Sequence, residues 1–555
     1  MPAQLKTSII SSFVGGSDKA TFPNIQGCAI SQNMMTEVNG EIKYQRSLYG
    51  KKFYKAISSE YGNCYFSFFP SVGMTADSGR ISSYWVFGST LYRLRPSGVV
   101  EGVIYNLSSN MTYGYTGVES GGEIPYLLFC TGERLYAINL SSGLPQLISM
   151  PLDIKGNTIV PTSVACIAGS IIVSNLNTGY AYYSQPYILS HDTMEIIRTT
   201  LGPDGKRVIV YKADGVTPDT YEASVWDGNI FYDMYGTLQY KNAESSSDNI
   251  VRLTSIGDIL TVFGSSTIEF WIRGEVSGMT WQRTNYTANG SLGIKTTRSV
   301  GITNNIICFL GNGNRTGYGV FAINRTEIQK ISPVWLDEII FKSNNVVDSF
   351  GYGYSYGNHN FYCLHIIDES GRNRCFTYDF ASGDWHERVS QNVTNDKLDT
   401  THYVYPIFTN EGKLLYGNYM TQNVAAIYEA RDDYWYEDIT NSLKKVFIRM
   451  RQTPLIIDSY KRFILNALSI EGNFGMCYDR SIQPQCMLEI SRDGGRTFGN
   501  LIVRNLPKTG EYKRRVDWNG LGMVRDCVIK FSTNAPMDLV LSNASMTICP
   551  LNYRY

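Results

Sequence analysis

The chain has 555 residues, with 51 glycines, 40 tyrosines and 24 phenylalanines against only 18% charged residues. This is the composition of short strands and tight turns, and it argues against a protein of long helices. Lysine plus arginine and aspartate plus glutamate both total 49, and the longest basic run is Lys513-Arg514-Arg515. Such a balance argues against a protein that grips nucleic acid through its phosphates.

Residues 1–20 read as an N-terminal arm. The stretch is broken by Thr7, Ser8, Ser11 and Ser12 and lacks the continuous apolar core of a signal peptide. No apolar run approaches the ~18 residues needed to cross a bilayer, so no membrane span is expected. The eleven cysteines are odd in number and form no C-x-x-C pair. They read as reduced core residues, with no metal or cofactor expected.

From residue 21 onward one unit recurs: an apolar run, a glycine, a few polar residues, and a second run rich in aromatic or branched side chains. It appears as Trp85-Val86-Phe87-Gly88 before Leu91-Tyr92-Arg93-Leu94, and as Leu127-Leu128-Phe129-Cys130-Thr131-Gly132 before Leu135-Tyr136-Ala137-Ile138. It returns at Gly169, at Gly264 before Ile268-Glu269-Phe270-Trp271, at Gly311 before Val320-Phe321-Ala322-Ile323, and at Gly417 before Ala426-Ile427-Tyr428. Each copy predicts a β-hairpin. Gly88 and Gly132 are 44 residues apart, Gly132 and Gly169 37, and Gly264 and Gly311 47. A period of roughly 40–50 residues with several strands in each is the mark of propeller blades. Six or seven blades are expected over 21–440.

Two gaps break the period. The 106 residues from Gly311 to Gly417 leave room for a further blade. Its strands are predicted around Phe361-Tyr362-Cys363-Leu364 and Cys375-Phe376-Thr377-Tyr378, and residues 378–385 read as the outer strands of a kelch-type blade. The 95 residues from Gly169 to Gly264 hold an atypical segment, 187–225. Either a blade with degraded signals lies there or an insertion does; the favoured reading is an inserted hairpin or small subdomain that projects from the propeller and adds little to its core. Gly311-Asn312-Gly313-Asn314 reads as a hairpin tip, since no helix follows to make a phosphate cradle. After Tyr434-Trp435-Tyr436 the texture changes. Residues 441–555 predict a separate β-rich C-terminal domain, a sandwich or platform, with a long strand over 463–470.

The sharpest local motif is Ser491-Arg492-Asp493-Gly494-Gly495-Arg496-Thr497-Phe498, an Asp box of the form S-x-D-x-G-x-T-[WF]. Its chemistry is that of a turn. Ser491 and Asp493 bond nearby amides, Gly495 takes a positive φ, Thr497 closes the loop and Phe498 packs beneath. Sialidases carry such boxes on successive blades; here one box stands outside the propeller repeat, so it is read as structural. Catalytic readings find little support. His359 and His365, six residues apart on one strand, would stand ~20 Å from each other, too far to share a metal. Asp432-Asp433 and Asp337-Glu338 read as solvated carboxylates. Neither a G-x-x-x-x-G-K-[ST] loop nor a G-x-S-x-G elbow occurs.

The surroundings of the box are more telling. Residues 484–498 are followed by Gly510-Glu511-Tyr512-Lys513-Arg514-Arg515-Val516-Asp517-Trp518 and by Leu521-Gly522-Met523-Val524-Arg525-Asp526. This succession resembles the C-terminal region of the packaged-DNA stabilisation (tail hub, or nozzle) proteins of short-tailed bacteriophages, with Phe498 in place of the commoner tryptophan. Ala243-Glu244, Asp248, Ile250 and the run from Leu260 through Gly264 to Ile268-Glu269 resemble the core of the same family. Gln26-Gly27-Cys28 and Asn33-Met34-Met35-Thr36-Glu37 are a looser echo of its opening. The resemblance implies a virion tail protein, made in a host bacterial cytoplasm, that forms a homo-oligomeric ring, a hexamer, below the portal and head-tail adaptor proteins. Such a ring extends the DNA channel, helps retain packaged DNA, and meets distal tail needle or fibre proteins. Viral double-stranded DNA passes through it on ejection without tight binding. The competing readings are a glycan-binding or glycan-cleaving propeller of sialidase type, supported by the lone Asp box, and a kelch-type interaction module.

Overall fold

The computed structural model describes residues 6–10, 13, 30–40, 42–71, 81–201, 207–243, 248–274, 281–287, 292–313, 317–343, 345–392, 397–420, 424–457, 462–477, 481–512 and 514–551. Cys28, Gly202-Pro203-Asp204-Gly205, Glu244, Asn314 and Lys513 lie outside them. The chain forms two compact units, Gly62–Ser332 with Asn345–Gly351, and Met1–Tyr61 with Pro333–Asn344 and Tyr352–Tyr555. Among the described residues the fold is all-β apart from one α-helix, Val334–Lys342, and a few single 3₁₀ turns.

The first unit holds five antiparallel sheets, each built from strands consecutive in the chain apart from one long interruption. The second of them shows how the pattern arises. Its strands Thr116–Glu119, Tyr126–Cys130, Leu135–Asn139 and Pro145–Ile148 pair in order. The central strand Tyr126–Cys130 is buried along its whole length, because both of its faces meet another sheet. Leu127 and Phe129 pack with Tyr84, Val86 and Leu91 of the preceding sheet. Leu128 and Cys130, on the opposite face, pack with Val164, Ile171 and Val173 of the following one. Two-residue periodicity thus sends alternate side chains into two different cores. The same stacking joins the third sheet to the fourth and the fourth to the fifth. The protein is a β-propeller with a C-terminal β-sandwich.

The glycines play two different roles. Gly88 and Gly132 occupy hairpin turns at φ 57° and 82°, where a side chain would be strained. Gly311, expected at a turn, instead lies within Ile306–Gly313 and pairs with Gly319. A Cβ there would stand 2.7 Å from the Phe321 ring, so close packing demands the glycine. The predicted tip at 311–314 is therefore strand through Gly313, which pairs with Gly317.

The insertion falls between the third and fourth strands of the third sheet, Tyr180–Tyr183 and Tyr240–Asn242. It carries two hairpins, Thr193–Ile197 with Thr220–Ser224 and, beyond it, Thr199–Leu201 with Arg207–Ile209. The expectation that it adds little to the core is corrected here. Within 187–225, Leu189, Met194, Ile196 and Val225 are buried in the core shared by the second and third sheets, as are Ile230 and Phe231 just beyond it. Only the outer hairpin is peripheral, with Val208, Tyr211 and Val216 exposed. Replacing 199–218 by a short Gly-Ser turn is expected to shift unfolding stability by no more than about 0.5 kcal/mol, as for other surface changes. Removing all of 187–225 should leave insoluble or unfolded protein. Parallel denaturation and solubility measurements on the two deletions check both halves.

The second unit holds two further blade-like sheets and the sandwich. His359–Ile367, Asn373–Asp379 and Asp384–Gln391 continue the Phe350–Tyr356 strand, whose last five residues lie in this unit. Tyr403–Phe408, Leu414–Asn418 and Val424–Arg431 form the other sheet, and Gly50–Tyr61 supplies its fourth strand from some 370 residues earlier in the chain. Seven sheets of blade type are therefore present among the described residues.

The sandwich draws on both ends of the chain. Lys6–Ile9, Met34–Asn39 and Ile42–Ser47 join Phe463–Asn473, Val516–Val524 and Val540–Pro550 in one sheet. Ile30–Gln32 joins Arg449–Gln452, Gln485–Ser491, Ile502–Asn505 and Asp526–Thr533 in the other, which runs on through the Gln32–Glu387 pairing into the blade strands ending at Asp384–Gln391. Residues 30–47, expected within the propeller, thus belong to sandwich sheets. Met34, Ile10 and Phe13 enter the sandwich core beside Leu465, Trp518 and Phe531, and this burial holds the N-terminal strands there.

Candidate functional site

The five Asp-box residues meet in one turn at the end of Gln485–Ser491. The Asp493 carboxylate accepts from the backbone amides of Arg496 at 3.0 Å and Thr497 at 2.9 Å, and from the Thr497 hydroxyl at 2.5 Å. Ser491 Oγ donates to Asp493 at 2.7 Å and accepts from the Gly495 amide at 2.8 Å. Gly494 and Gly495 take φ of 74° and 90°. Phe498 lies under the Lys530 ammonium, 4.9 Å from its ring centre. The bonds from Thr497 hold the Asp493 carboxyl well below the usual carboxylate range. Its oxygens are committed to the turn, which leaves them poorly placed for acid–base work.

This turn also explains why the later motif segments accompany it. Arg492 Nη2 donates to the Leu521 carbonyl at 2.8 Å. Gly522, at φ 90°, lies so close that a Cβ would stand 3.1 Å from that guanidinium nitrogen. Trp518 is fully buried and packs edge-on against Phe531. Asp493→Ala is expected to lower the melting midpoint at pH 7 without changing the assembled state. A depressed carboxyl contributes stability above its unfolded pKa and loses it as pH falls. The gap between wild type and variant should therefore narrow below the ordinary carboxylate range, and calorimetry at several pH values would show it.

The propeller motif is a second self-contained turn. Asp248 is buried and accepts from the amides of Ser265 at 3.1 Å, Ser266 at 2.7 Å and Thr267 at 3.0 Å, and from the Ser265 and Thr267 hydroxyls. A Cβ on Gly264 would stand 2.2 Å from the Asp248 carboxylate, so the glycine is required by the aspartate. Glu269, almost fully buried, accepts from the Trp271 indole at 2.8 Å.

The largest concentration of buried polar groups lies where the sheet of His359–Ile367, Asn373–Asp379 and Asp384–Gln391 meets the sandwich. Gln32 pairs with Glu387 across the strands and donates to its carboxylate at 2.9 Å. Arg374 meets the same carboxylate at 2.7 Å. Asn33, at φ 55°, donates to the carbonyls of Val389 and Ile448, both at 2.8 Å, and accepts from the Val389 amide at 3.1 Å. His359 Nδ1 lies 2.8 Å from Asp379 and its Nε2 3.1 Å from Glu37. Arg451 donates to Gln45 at 3.0 Å and to the Phe13 carbonyl at 2.6 Å, while Arg449 donates to the Met537 and Ala535 carbonyls. Buried polar networks of this kind favour one arrangement of the groups they join.

Of this seam, sequence reasoning touched the echo at Asn33-Met34-Met35-Thr36-Glu37 and His359, weighed there as a metal ligand. The structure gives the echo a role: Asn33 and Glu37 bond the neighbouring sheet. The two histidines weighed as a metal pair have separate partners. His365 lies 3.2 Å from the Tyr352 hydroxyl and 3.4 Å from that of Thr400. Among the described residues no cluster of histidine, cysteine, aspartate or glutamate is arranged to hold a metal ion. Asp433 pairs with Arg431 at the surface. No described helix is long and apolar enough to cross a membrane.

Stacked blade sheets, a sandwich, and polar side chains committed to turns and seams define an architectural β-protein. Residues 233–418 match the family described as bacteriophage P22 Gp10, beta-propeller, and residues 448–549 match bacteriophage P22 Gp10, beta-sandwich. The chain belongs to this packaged-DNA stabilisation family of short-tailed bacteriophages, and is a structural protein of the phage tail and DNA-stabilisation class. No curated protein matches the chain.

Solved structures resemble it only loosely. A puromycin-hydrolyzing peptidase of Mycobacterium tuberculosis shares 9% identity at a TM-score of 0.34, over 73% of this chain and 60% of that one. A dihydro-heme d1 dehydrogenase shares 12% at 0.32, over 76% of each chain. An exo-β-1,3-galactanase of Phanerochaete chrysosporium shares 10% at 0.22, over 96% of this chain and 99% of that one. At these values the likenesses carry no argument about activity.

Proposed function

We propose that this protein is a tail hub, or nozzle, that forms a closed homo-oligomeric ring, a hexamer, beneath the portal and head-tail adaptor. The ring extends the DNA channel toward the distal needle or fibre proteins, helps retain the packaged genome, and lets it pass on ejection. The match to one phage family over both the propeller and the sandwich carries this reading. The balance of 49 basic and 49 acidic residues supports the absence of tight DNA binding, since each phosphate contact adds salt-dependent affinity that would slow release. A purely structural role fits side chains whose polar atoms serve turns and seams, with the Asp box acting as a structural turn. The domain plan that goes with it is a propeller over about 50–440, interrupted by its insertion, and a C-terminal platform from 441 that takes in the strands of residues 6–9 and 30–47.

Native mass spectrometry and a gel-shift titration with linear duplex DNA at low salt test the proposal together. A ring of several subunits with no shift at micromolar protein is the expected result. A stable monomer, glycan turnover lost on mutating one carboxylate, or tight binding that weakens steeply with salt would overturn it.

A further inference from the structure

The second unit has a small cavity of about 20 Å³, lined by both polar and apolar groups, between its two blade-like sheets and residues of the N-terminal strands. That is room for one particle the size of a water molecule. Every side chain lining it is buried, including Arg388, Lys51, Glu437, Tyr354, Tyr416 and Cys363. Among the described residues, Arg388 Nε and Nη2 have no hydrogen-bond acceptor. A buried guanidinium N–H left in that state is costly.

Several of the nearby acceptors are already engaged. The Tyr354 and Tyr416 hydroxyls bond each other. The Tyr403 hydroxyl donates to the Asp438 carbonyl at 2.9 Å, and Cys363 Sγ meets the Thr377 hydroxyl at 3.2 Å. Lys51 donates to the Tyr49 carbonyl at 2.6 Å and lies 5.1 Å from the Tyr416 ring centre.

Charge points the same way. The lining carries two cationic side chains, Arg388 and Lys51, and one carboxylate, Glu437. The sum is one positive charge, and a proton passing from Lys51 to Glu437 leaves it unchanged. A buried net charge is expensive until it is paired. Water would accept the Arg388 hydrogens without neutralising that charge. Phosphate or sulfate, with four oxygens around a central atom, is too large for the space.

We propose that this cavity is a binding site for a single small monovalent inorganic anion of the chloride class, held by Arg388 Nε and Nη2 and faced by Lys51. The anion closes the charge at the junction of the two sheets and supplies the acceptor that Arg388 lacks. The internal rival is the Cys363 thiol, which could neutralise Arg388 as a thiolate.

The test uses the full-length protein. Crystals grown in sodium bromide should show one anomalous peak within hydrogen-bonding reach of Arg388 Nε and Nη2. The melting midpoint, followed as gluconate is exchanged for chloride at fixed ionic strength, should rise and saturate. Arg388→Met should abolish that rise, and Cys363→Ser should keep it. If the arginine variant fails to fold, the bromide peak in the wild type still decides. Absence of that peak, a midpoint indifferent to chloride, or a chloride response lost in Cys363→Ser would overturn the assignment.

Discussion

Acidification from pH 6.5 to 4 is expected to unfold the unit that carries the sandwich and its two neighbouring sheets. Three of its histidines are held neutral. Burial pushes His365 down to about 3 and His402 down to about 4. His386 is lowered well below its ordinary value by burial, with Arg388, Arg451 and His359 adding to the effect. An unfolded chain takes up a proton at each of these positions near pH 6.5, whereas the folded chain does not. Between the unfolded and folded values the unfolded state therefore binds more protons, and stability falls as pH falls. Each histidine contributes about 1.4 kcal/mol per pH unit; the raised Glu437 carboxyl, protonated in the folded chain, offsets about one of the three, leaving about 3. Over two pH units this removes about 6 kcal/mol, enough to unfold a unit whose stability lies in the lower part of the usual range of about 5–15 kcal/mol.

His359 does not offset this loss. Burial opposes its charge, but Asp379 and Glu37 outweigh burial and raise its pKa. Its contribution is complete below the unfolded value and is lost only as pH rises through the folded one. Below pH 6.5 it is therefore constant. Urea titrations at half-unit pH steps, read by tryptophan fluorescence, measure the slope. His365→Asn should remove about one proton's worth of it. Stability that stays level between pH 6.5 and 4.5 would show that these histidines are not held neutral.

What could be read in the sequence was local. Hairpins such as Trp85-Val86-Phe87-Gly88 before Leu91 were legible because both strands and the turn fall within a dozen residues, and a strand buried on both faces reads as an unbroken apolar run. The insertion was legible as a break in the repeat. Its anchoring was not, since Val225, Ile230 and Phe231 reach the core from short 3₁₀ turns that carry no period. The fourth strand Gly50–Tyr61 and the sandwich strands near residues 6–9 and 30–47 were illegible for a different reason. Their partners lie hundreds of residues away, and nothing local marks that register. The buried seam was hidden by residue type. Arg449 and Arg451 look like solvent-facing residues in a strand, yet both are fully buried, and carbonyls and an amide from distant segments receive their hydrogens. Asp248 was visible as part of a motif, but its function in bonding the Gly264–Thr267 turn required coordinates.

Lys51 and Glu437 should show strong non-additivity. They sit directly opposite each other on neighbouring parallel strands and both are buried, so their side chains share one face. Burial pushes the Lys51 ammonium down and the Glu437 carboxyl up, each opposed by the attraction of its partner. Removing one member leaves the other in a low-dielectric site with its desolvation penalty uncompensated, which costs about 3–5 kcal/mol in comparable buried pairs. Lys51→Met should approach that loss near pH 8. The loss should shrink toward pH 5, because a lone Glu437 with a raised pKa must take up a proton to stay buried, and protons become more available as pH falls. Glu437→Gln should behave in the opposite sense, since a lone buried lysine must shed its proton and does so more easily at higher pH. The double variant Lys51→Met, Glu437→Leu removes both charges and fills the space with apolar atoms. It should recover most of the loss, as replacements of buried ion pairs by packed apolar side chains do. Denaturant unfolding of the four proteins at pH 5 and pH 8 gives the coupling directly. Losses that simply add, or single-variant losses independent of pH, would mean that the two side chains do not neutralise each other.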